Sequence, residues 1–251
     1  FFFKQKTAYE IPKRDWSSDV CSSDLVGWSR SNPPGALAGC ARWSHIDLLD
    51  REAVRHGIRE LRPSRIYHLA GAPSVASSWD RTTATLESNV LATHYLLDAV
   101  RLAELDCRTL VVGSAQIYAA SSSALREDSS IAPASPYAMS KLAQEEVGRH
   151  AAVDDGLDVV LVRPFNHTGP RQKPLFAAPS MARQIAEGEA AGTAVRLRVG
   201  NLDARRDVSD VRDVVRAYVL LMEHGARGSV YNVASGIARP IRSDRKSTRL
   251  N

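Results

Sequence analysis

The sequence predicts a doubly wound α/β fold: a parallel sheet with helices on both faces. Three observations predict it. Short β-branched segments alternate with amphipathic ones between residues 65 and 163. One amphipathic segment carries a full helix-start signal. The residues able to do chemistry follow directly after the strand-like segments, where sheets of this class bind their ligands.

The elements follow in order. Arg65 to Ala70 (RIYHLA) reads as a strand ending in small residues. Leu86 to Arg101 places Val90, Leu91, Tyr95, Leu97 and Val100 at helical spacing. Thr109 to Gly113 is a β-branched strand. Ser135 to Ala152 is a helix, with Ser135 suited to the cap and Pro136 to the first helical position. Asp158 to Arg163 is a strand stopped by Pro164. Beyond it the pattern loosens: Met181 to Glu189 reads as helix, Val195 to Val199 as strand, and Val211 to His224 as helix.

Bulk properties narrow the function classes. No apolar run approaches the ~20 residues that cross a bilayer, so no membrane partner is expected. Of the net charge of +5, residues 1–25 sum to zero, and Arg245, Lys246 and Arg249 carry three. The small excess left in the body argues against a nucleic-acid partner. The three cysteines form no CxxC pair and no cluster with histidine. No metal site is expected, and a cytoplasmic location fits.

The two ends stand apart. Residues 1–25 (FFFKQKTAYEIPKRDWSSDVCSSDL) have no periodic apolar face. They resemble mistranslated sequencing-adapter DNA, as does the tail over 245–251. Both are expected to be non-native and to pack poorly, and both are left out of fold reasoning. The alternative is a genuine disordered arm.

The chemistry centres on Tyr137-Ala-Met-Ser-Lys141, a phenol and an ammonium four apart on one helical face. A nearby cation favours phenolate, so Lys141 is expected to lower the Tyr137 pKa towards the working range of a general acid/base. Tyr9 and Lys13 share this spacing, so the spacing alone does not decide. Context does: the pair opens a capped helix, downstream of a strand ending in Gly113-Ser114. A hydroxyl just past a strand can polarise a carbonyl beside a tyrosine acid. The alternatives are an exposed helical face for the pair and a simple turn residue for Ser114. His68 reads as a packed strand residue rather than a base.

These residues resemble the extended short-chain dehydrogenase/reductase family, with Ser114, Tyr137 and Lys141 as its triad. His45-Ile-Asp47-Leu48 and His68-Leu69-Ala70-Gly71 match the same family. Arg163-Pro-Phe-Asn-His-Thr-Gly-Pro-Arg171 and the run from Gly200 through Arg206-Asp207 to Asp213 resemble its GDP-mannose 4,6-dehydratase and GDP-4-keto-6-deoxy-mannose reductase branch. The likeness spans roughly residues 26–242. It implies a Rossmann-like domain, a GDP-sugar substrate, NADP or NAD as coenzyme, and a homodimer. The cofactor-binding residues it implies are Asp47, Leu48, Leu69, Ala70, Gly71, Asn89, Tyr137, Lys141 and Pro164. Asp47 would lie at the adenine, and Asn89 would support the active-site helix. The residue-level alternatives are a helix cap for Asp47 and a solvated position for Asn89. On the substrate side the resemblance implies Gln116, Asn166, Arg171 and Arg206. Arg206 can grip a diphosphate through paired donors. Its alternative is a surface ion pair with Asp207 or Asp210, and Arg171 could be a solvated loop residue.

The sequence also departs from that family. The glycine-rich turn after the first strand is missing, because Gly27, Gly35 and Gly39 lack its spacing. The expected organisation is an incomplete dinucleotide-binding domain over 26–165 and a truncated substrate-binding part over 166–244. Arg30 could meet a 2′-phosphate or be a solvated charge. The family's dehydratases carry a carboxylate two residues after the triad hydroxyl, and here that position is Gln116. An amide has no proton-transfer pKa near neutrality, which favours reduction of a GDP-4-keto-6-deoxy sugar. Glu127 and Asp128 remain possible replacements for that carboxylate. The rival expectations are a 4,6-dehydratase, a nucleotide-sugar 4-epimerase and a non-catalytic remnant that binds nucleotide-sugar.

Overall fold

A computed structural model describes residues 25–31, 41–194 and 196–242. The expectations for the two ends lie largely outside those residues. The central sheet has four parallel strands in the order β3-β4-β5-β8: β3 (Arg65–His68), β4 (Arg108–Val112), β5 (Val159–Pro164) and β8 (Val230–Val233). Two further parallel strands, β1 (Val26–Ser29) and β2 (Arg42–His45), pair with each other in register. A three-stranded sheet holds β6 (Asn166–Thr168), β7 (Arg205–Asp210) and β9 (Ala238–Pro240) in the order β6-β7-β9, with β9 antiparallel.

The longer helices are α1 (Arg51–Leu61), α4 (Ala92–Leu102), α5 (Pro136–Val153), α6 (Ala177–Ala191) and α7 (Val211–His224). Two short helices, α2 (Val75–Asp80) and α3 (Thr82–Leu86), precede α4. Strand alternation decides which helix meets which face. Val111, Val159 and Leu161 turn to one face, with Leu97 of α4 and Ala151 and Ala152 of α5. Leu110 and Val162 turn to the other, against Val214, Tyr218 and Met222 of α7. Helices therefore cover both faces, as the alternation of segments predicts.

A third cluster joins Trp28 of β1, Ile66 of β3, Val54 and Ile58 of α1, and Leu96 and Val100 of α4. It ties the β1–β2 pair to the central sheet by side-chain packing. Among the described residues no ladder joins β1 to β3.

Local chemistry explains the helix starts. Ser135 accepts from the Ala138 N–H at 3.1 Å, and Pro136 follows it, as the sequence predicts. Asp50, not Asp47, caps α1, accepting from Ala53 at 3.0 Å. Asp210 caps α7 through the Arg212 N–H.

Two expectations need correction. Residues 196–199 form no strand, because the Gln184 amide brackets the Arg198 backbone: it donates to the Arg198 carbonyl at 3.1 Å and accepts from its N–H at 2.8 Å. A side chain thus takes the place of a strand partner, and Val195 lies outside the described residues. The helix expected over 86–101 is interrupted by a π-turn at Glu87–Leu91. The later part of the chain also contributes to the central sheet: β8 pairs with β5 and α7 packs on it.

Candidate active site

Two strand ends and one helix start converge. β4 runs into Gly113 and Ser114, where a Cβ on Gly113 would lie 2.9 Å from the Val162 carbonyl of β5. Only glycine lets the chain turn there so close to its neighbour. Ser114 is 6% exposed and caps the short 3₁₀ turn Ala115–Ile117, accepting from the Gln116 N–H at 3.2 Å. The turn role and the site role therefore coexist in one residue. Gln116 itself is exposed.

Tyr137 is the second residue of α5, and its N–H donates to Ser78 Oγ at 3.1 Å. Burial pushes its phenol above the usual range, and the Ser114 hydroxyl beside it pulls partly back. The sequence predicts a phenol lowered by Lys141; burial instead raises it. Lys141, one turn on and 6% exposed, donates from Nζ to the Val112 carbonyl and to Gln144 Oε1, both at 2.8 Å.

Asn89 sits in the π-turn and is fully buried. Its Oδ1 accepts from the Ala72 N–H at 2.7 Å, and its Nδ2 donates to Ser140 Oγ at 2.8 Å. Ser140 in turn donates to the Tyr137 carbonyl. One amide thus links the end of β3 to the first turn of α5. Gly71 lies against it: a Cβ there would come within 2.6 Å of Asn89 Oδ1 and 3.3 Å of Lys141 Nζ. The one-residue expansion of a π-turn is a common device for re-aiming a side chain at such sites.

Beside this corner, an open cavity is lined by Arg30 from the end of β1, Asp47 and Leu48 after β2, and Ala70 and Gly71 after β3. Leu69 precedes them, and Pro164 is buried at the end of β5. Asp47 accepts from the Leu49 N–H and lies 3.8 Å from the Arg30 guanidinium. Arg30 is therefore neither a lone solvated charge nor fixed by that carboxylate alone, since the pair is half-exposed.

A second buried network escaped the sequence reading. Arg163 is 4% exposed and grips both oxygens of Glu145, at 2.7 and 2.8 Å. It also donates to Tyr118 Oη and to the Glu127 carbonyl, and its guanidinium lies over the Tyr118 ring. Tyr118 passes a hydrogen bond to Asn232 of β8. The signal was present in the sequence: a lone charge closing an apolar strand needs a partner.

The expected substrate-side residues sit on the small sheet. Asn166 opens β6 and donates to the Asp207 carbonyl at 3.3 Å. Arg171 is exposed in left-handed backbone, φ 67°. Arg206, exposed on β7, donates to the neighbouring Arg205 carbonyl. Asp210 pairs with Arg212, and Asp207 accepts from Ser235, so the aspartates proposed as ion-pair partners for Arg206 are engaged elsewhere. Glu127 accepts from the Asn232 N–H, and Asp128 pairs with Arg126 at the surface.

Among the described residues no three His, Cys, Asp or Glu side chains gather as a metal site. None of the described helices is long and apolar enough to cross a membrane.

The model of the NAD dependent epimerase/dehydratase family matches residues 20–234. The chain belongs to that family. Within this epimerase/dehydratase family, GDP-6-deoxy-D-mannose reductase of Pseudomonas aeruginosa is 39% identical over 199 residues, 78% of this chain and 65% of that protein. Human GDP-mannose 4,6 dehydratase is 28% identical over 247 residues, 92% of this chain and 64% of its own length. The chain thus spans a little under two thirds of these curated relatives. A solved structure of RMD from Pseudomonas aeruginosa complexed with NADPH matches with TM-score 0.76 and 36% identity, covering 83% of this chain and 75% of that one.

Proposed function

We propose that this chain carries the core of an NADP- or NAD-dependent reductase acting on a GDP-linked 4-keto-6-deoxy sugar. The observation that carries the reading is the corner where half-buried Tyr137 stands beside buried Ser114 and Lys141, with a phenol that desolvation raises above its usual range. The greater likeness to a reductase than to a dehydratase supports it. So does Gln116 in place of a carboxylate, with Glu127 and Asp128 engaged elsewhere.

A nicotinamide coenzyme fits the described residues at both of its ends. At the adenosine end, Asp47, Leu48 and Ala70 line the cavity, and Arg30, which also lines it, would meet a 2′-phosphate were the coenzyme NADP. At the nicotinamide end, Gly71 leaves room beside Lys141, and Pro164 closes β5. When bound, the coenzyme supplies a hydride to the sugar C4 carbon. Tyr137 donates its phenolic proton to the resulting C4 oxygen. Ser114 donates a hydrogen bond to that oxygen and polarises the ketone. Lys141 offers a cation to the phenolate left behind and a donor to the nicotinamide ribose. Asn89 holds the first turn of α5 to the end of β3, fixing the corner's geometry.

In this reading the coenzyme occupies the part over 26–165. The GDP-sugar lies against the small sheet over 166–244, with Arg206 and Arg171 facing the diphosphate and Asn166 and Gln116 the sugar. The enzyme works as a cytoplasmic homodimer, which would cover the exposed Trp79 of α2 and Met139 of α5. The test offers the protein GDP-mannose and, separately, its 4-keto-6-deoxy derivative with reduced coenzyme. Reduction of the keto-sugar alone is expected. Water loss from GDP-mannose would reassign the chain as a dehydratase, and binding of GDP-sugar with no turnover of either would mark a non-catalytic remnant.

A further inference from the structure

A chain of buried hydrogen bonds runs behind the corner, and its direction is fixed at both ends. At one end is the Lys141 ammonium, which can only donate. It donates to Gln144 Oε1 at 2.8 Å, so the other end of that amide, Nε2, faces onward and donates to Thr93 Oγ1 at 2.9 Å. At the other end is the Asn89 carbonyl of the π-turn, which can only accept. It takes the Thr93 hydroxyl proton at 2.6 Å. Thr93 has one proton and it is committed, so its oxygen accepts every other bond it makes. His68 Nε2 lies 2.7 Å from that oxygen and must therefore carry a proton. Thr93, Gln144, His68 and Asn89 are all 0% exposed, so water cannot stand in for a missing partner.

We propose that Thr93 and Gln144 are positioning residues for Lys141. Thr93 accepts from Gln144 and His68 together, which locks the amide with its oxygen towards the ammonium. Both the Gln144 oxygen and the Val112 carbonyl are neutral acceptors, so they fix the cation without cancelling its charge. The inference rests on Lys141 being the group that tunes Tyr137 and holds the ribose. It adds that the aim of Lys141 is set one and two side chains further back, on α5 and α4. Without the Thr93 acceptor, the buried Gln144 amide loses the partner that opposes its rotation. Rotation would turn its NH₂ onto the ammonium.

The test reads the hydrogen bonds directly, in the full chain without substrate or coenzyme. The result therefore stands apart from whether the reductase reading succeeds, which turnover alone decides. With isotope-labelled lysine and histidine, the six lysines give a simple ammonium spectrum. A buried, hydrogen-bonded Lys141 signal, assigned by its loss in Lys141→Arg, is expected to persist at neutral pH. Thr93→Val and Gln144→Leu are each expected to broaden it away by solvent exchange, while Thr93→Ser, which keeps the acceptor, restores it. A Lys141 signal in Thr93→Val equal to that of the unaltered chain overturns the proposal. Should Thr93→Val fail to fold, the unaltered chain decides: His68 must be protonated at Nε2, and a bare Nε2 overturns the proposal.

Discussion

The corner around Tyr137 and the small sheet carrying Arg206 are built on opposite plans. In the corner, the holding groups are largely buried and bonded: Lys141 is held by Gln144 and the Val112 carbonyl, the α5 start by Asn89, Ser140 and Ser78, and Arg163 by Glu145 and Tyr118. On the small sheet the arginines Arg205, Arg206 and Arg239 stand exposed, and the Arg206 side chain bonds locally, to its neighbour's carbonyl. The difference fits two tasks. A proton donor must be in place before the substrate arrives, and preorganisation lowers its reorganisation cost. An arginine meeting a diphosphate gains its paired donors only when the anion is bound.

Breaking the corner's scaffold should have the largest effect. Arg163→Met leaves the Glu145 carboxylate buried without its guanidinium, a change that typically costs about 3–5 kcal/mol. Arg183→Met removes an equally close pair to Glu187 at the surface, where ~0–1 kcal/mol is usual. Thermal unfolding of the two variants side by side checks this. Similar drops in Tm would erase the contrast between the regions.

Removing the acid comes next. Tyr137→Phe keeps the ring and loses the proton, and turnover of the keto-sugar should fall by ~10²-fold or more. Near-normal turnover would place the donor elsewhere. A milder effect is expected from Arg206→Ala, which should raise KM for the GDP-sugar by about tenfold, on the order of one charge-assisted contact, and leave kcat close to unchanged. A fall in kcat with constant KM would move Arg206 from binding to chemistry.

The two regions also differed in how much of them could be read from the sequence. The corner's skeleton was legible because local rules write it: Ser135-Pro136 starts the helix, four-residue spacing aligns Tyr137 with Lys141, and Gly113-Ser114 ends a β-branched strand. Its wiring was not. Thr93, Gln144 and Glu145 look like ordinary helix residues until the fold brings α4, α5 and β5 together. The π-turn that re-aims Asn89 has no signature in Leu86-Glu-Ser-Asn-Val-Leu91. The β7 strand was hidden in a polar run, Arg205 to Asp210, because it is the middle strand of a small sheet whose arginines Arg205 and Arg206 stay exposed. The apolar alternation at Val195–Val199 pointed to a strand that Gln184 pre-empts. The Tyr137 pKa was misjudged for a related reason. Helical spacing shows the cation, but only the folded chain shows the burial that raises this phenol.

That last point is also where the account is most exposed. If the corner is built to donate a proton to a ketone, the phenol must stay protonated well past neutrality. The direct measurement is an NMR titration of the Tyr137 ring in the full chain, using Tyr137→Phe to assign the signal. The account predicts no ionisation until the pH is above the ordinary tyrosine value of 10.0, because burial raises this phenol. Ionisation at or near neutral pH would contradict it, and would show that Lys141 governs the group after all.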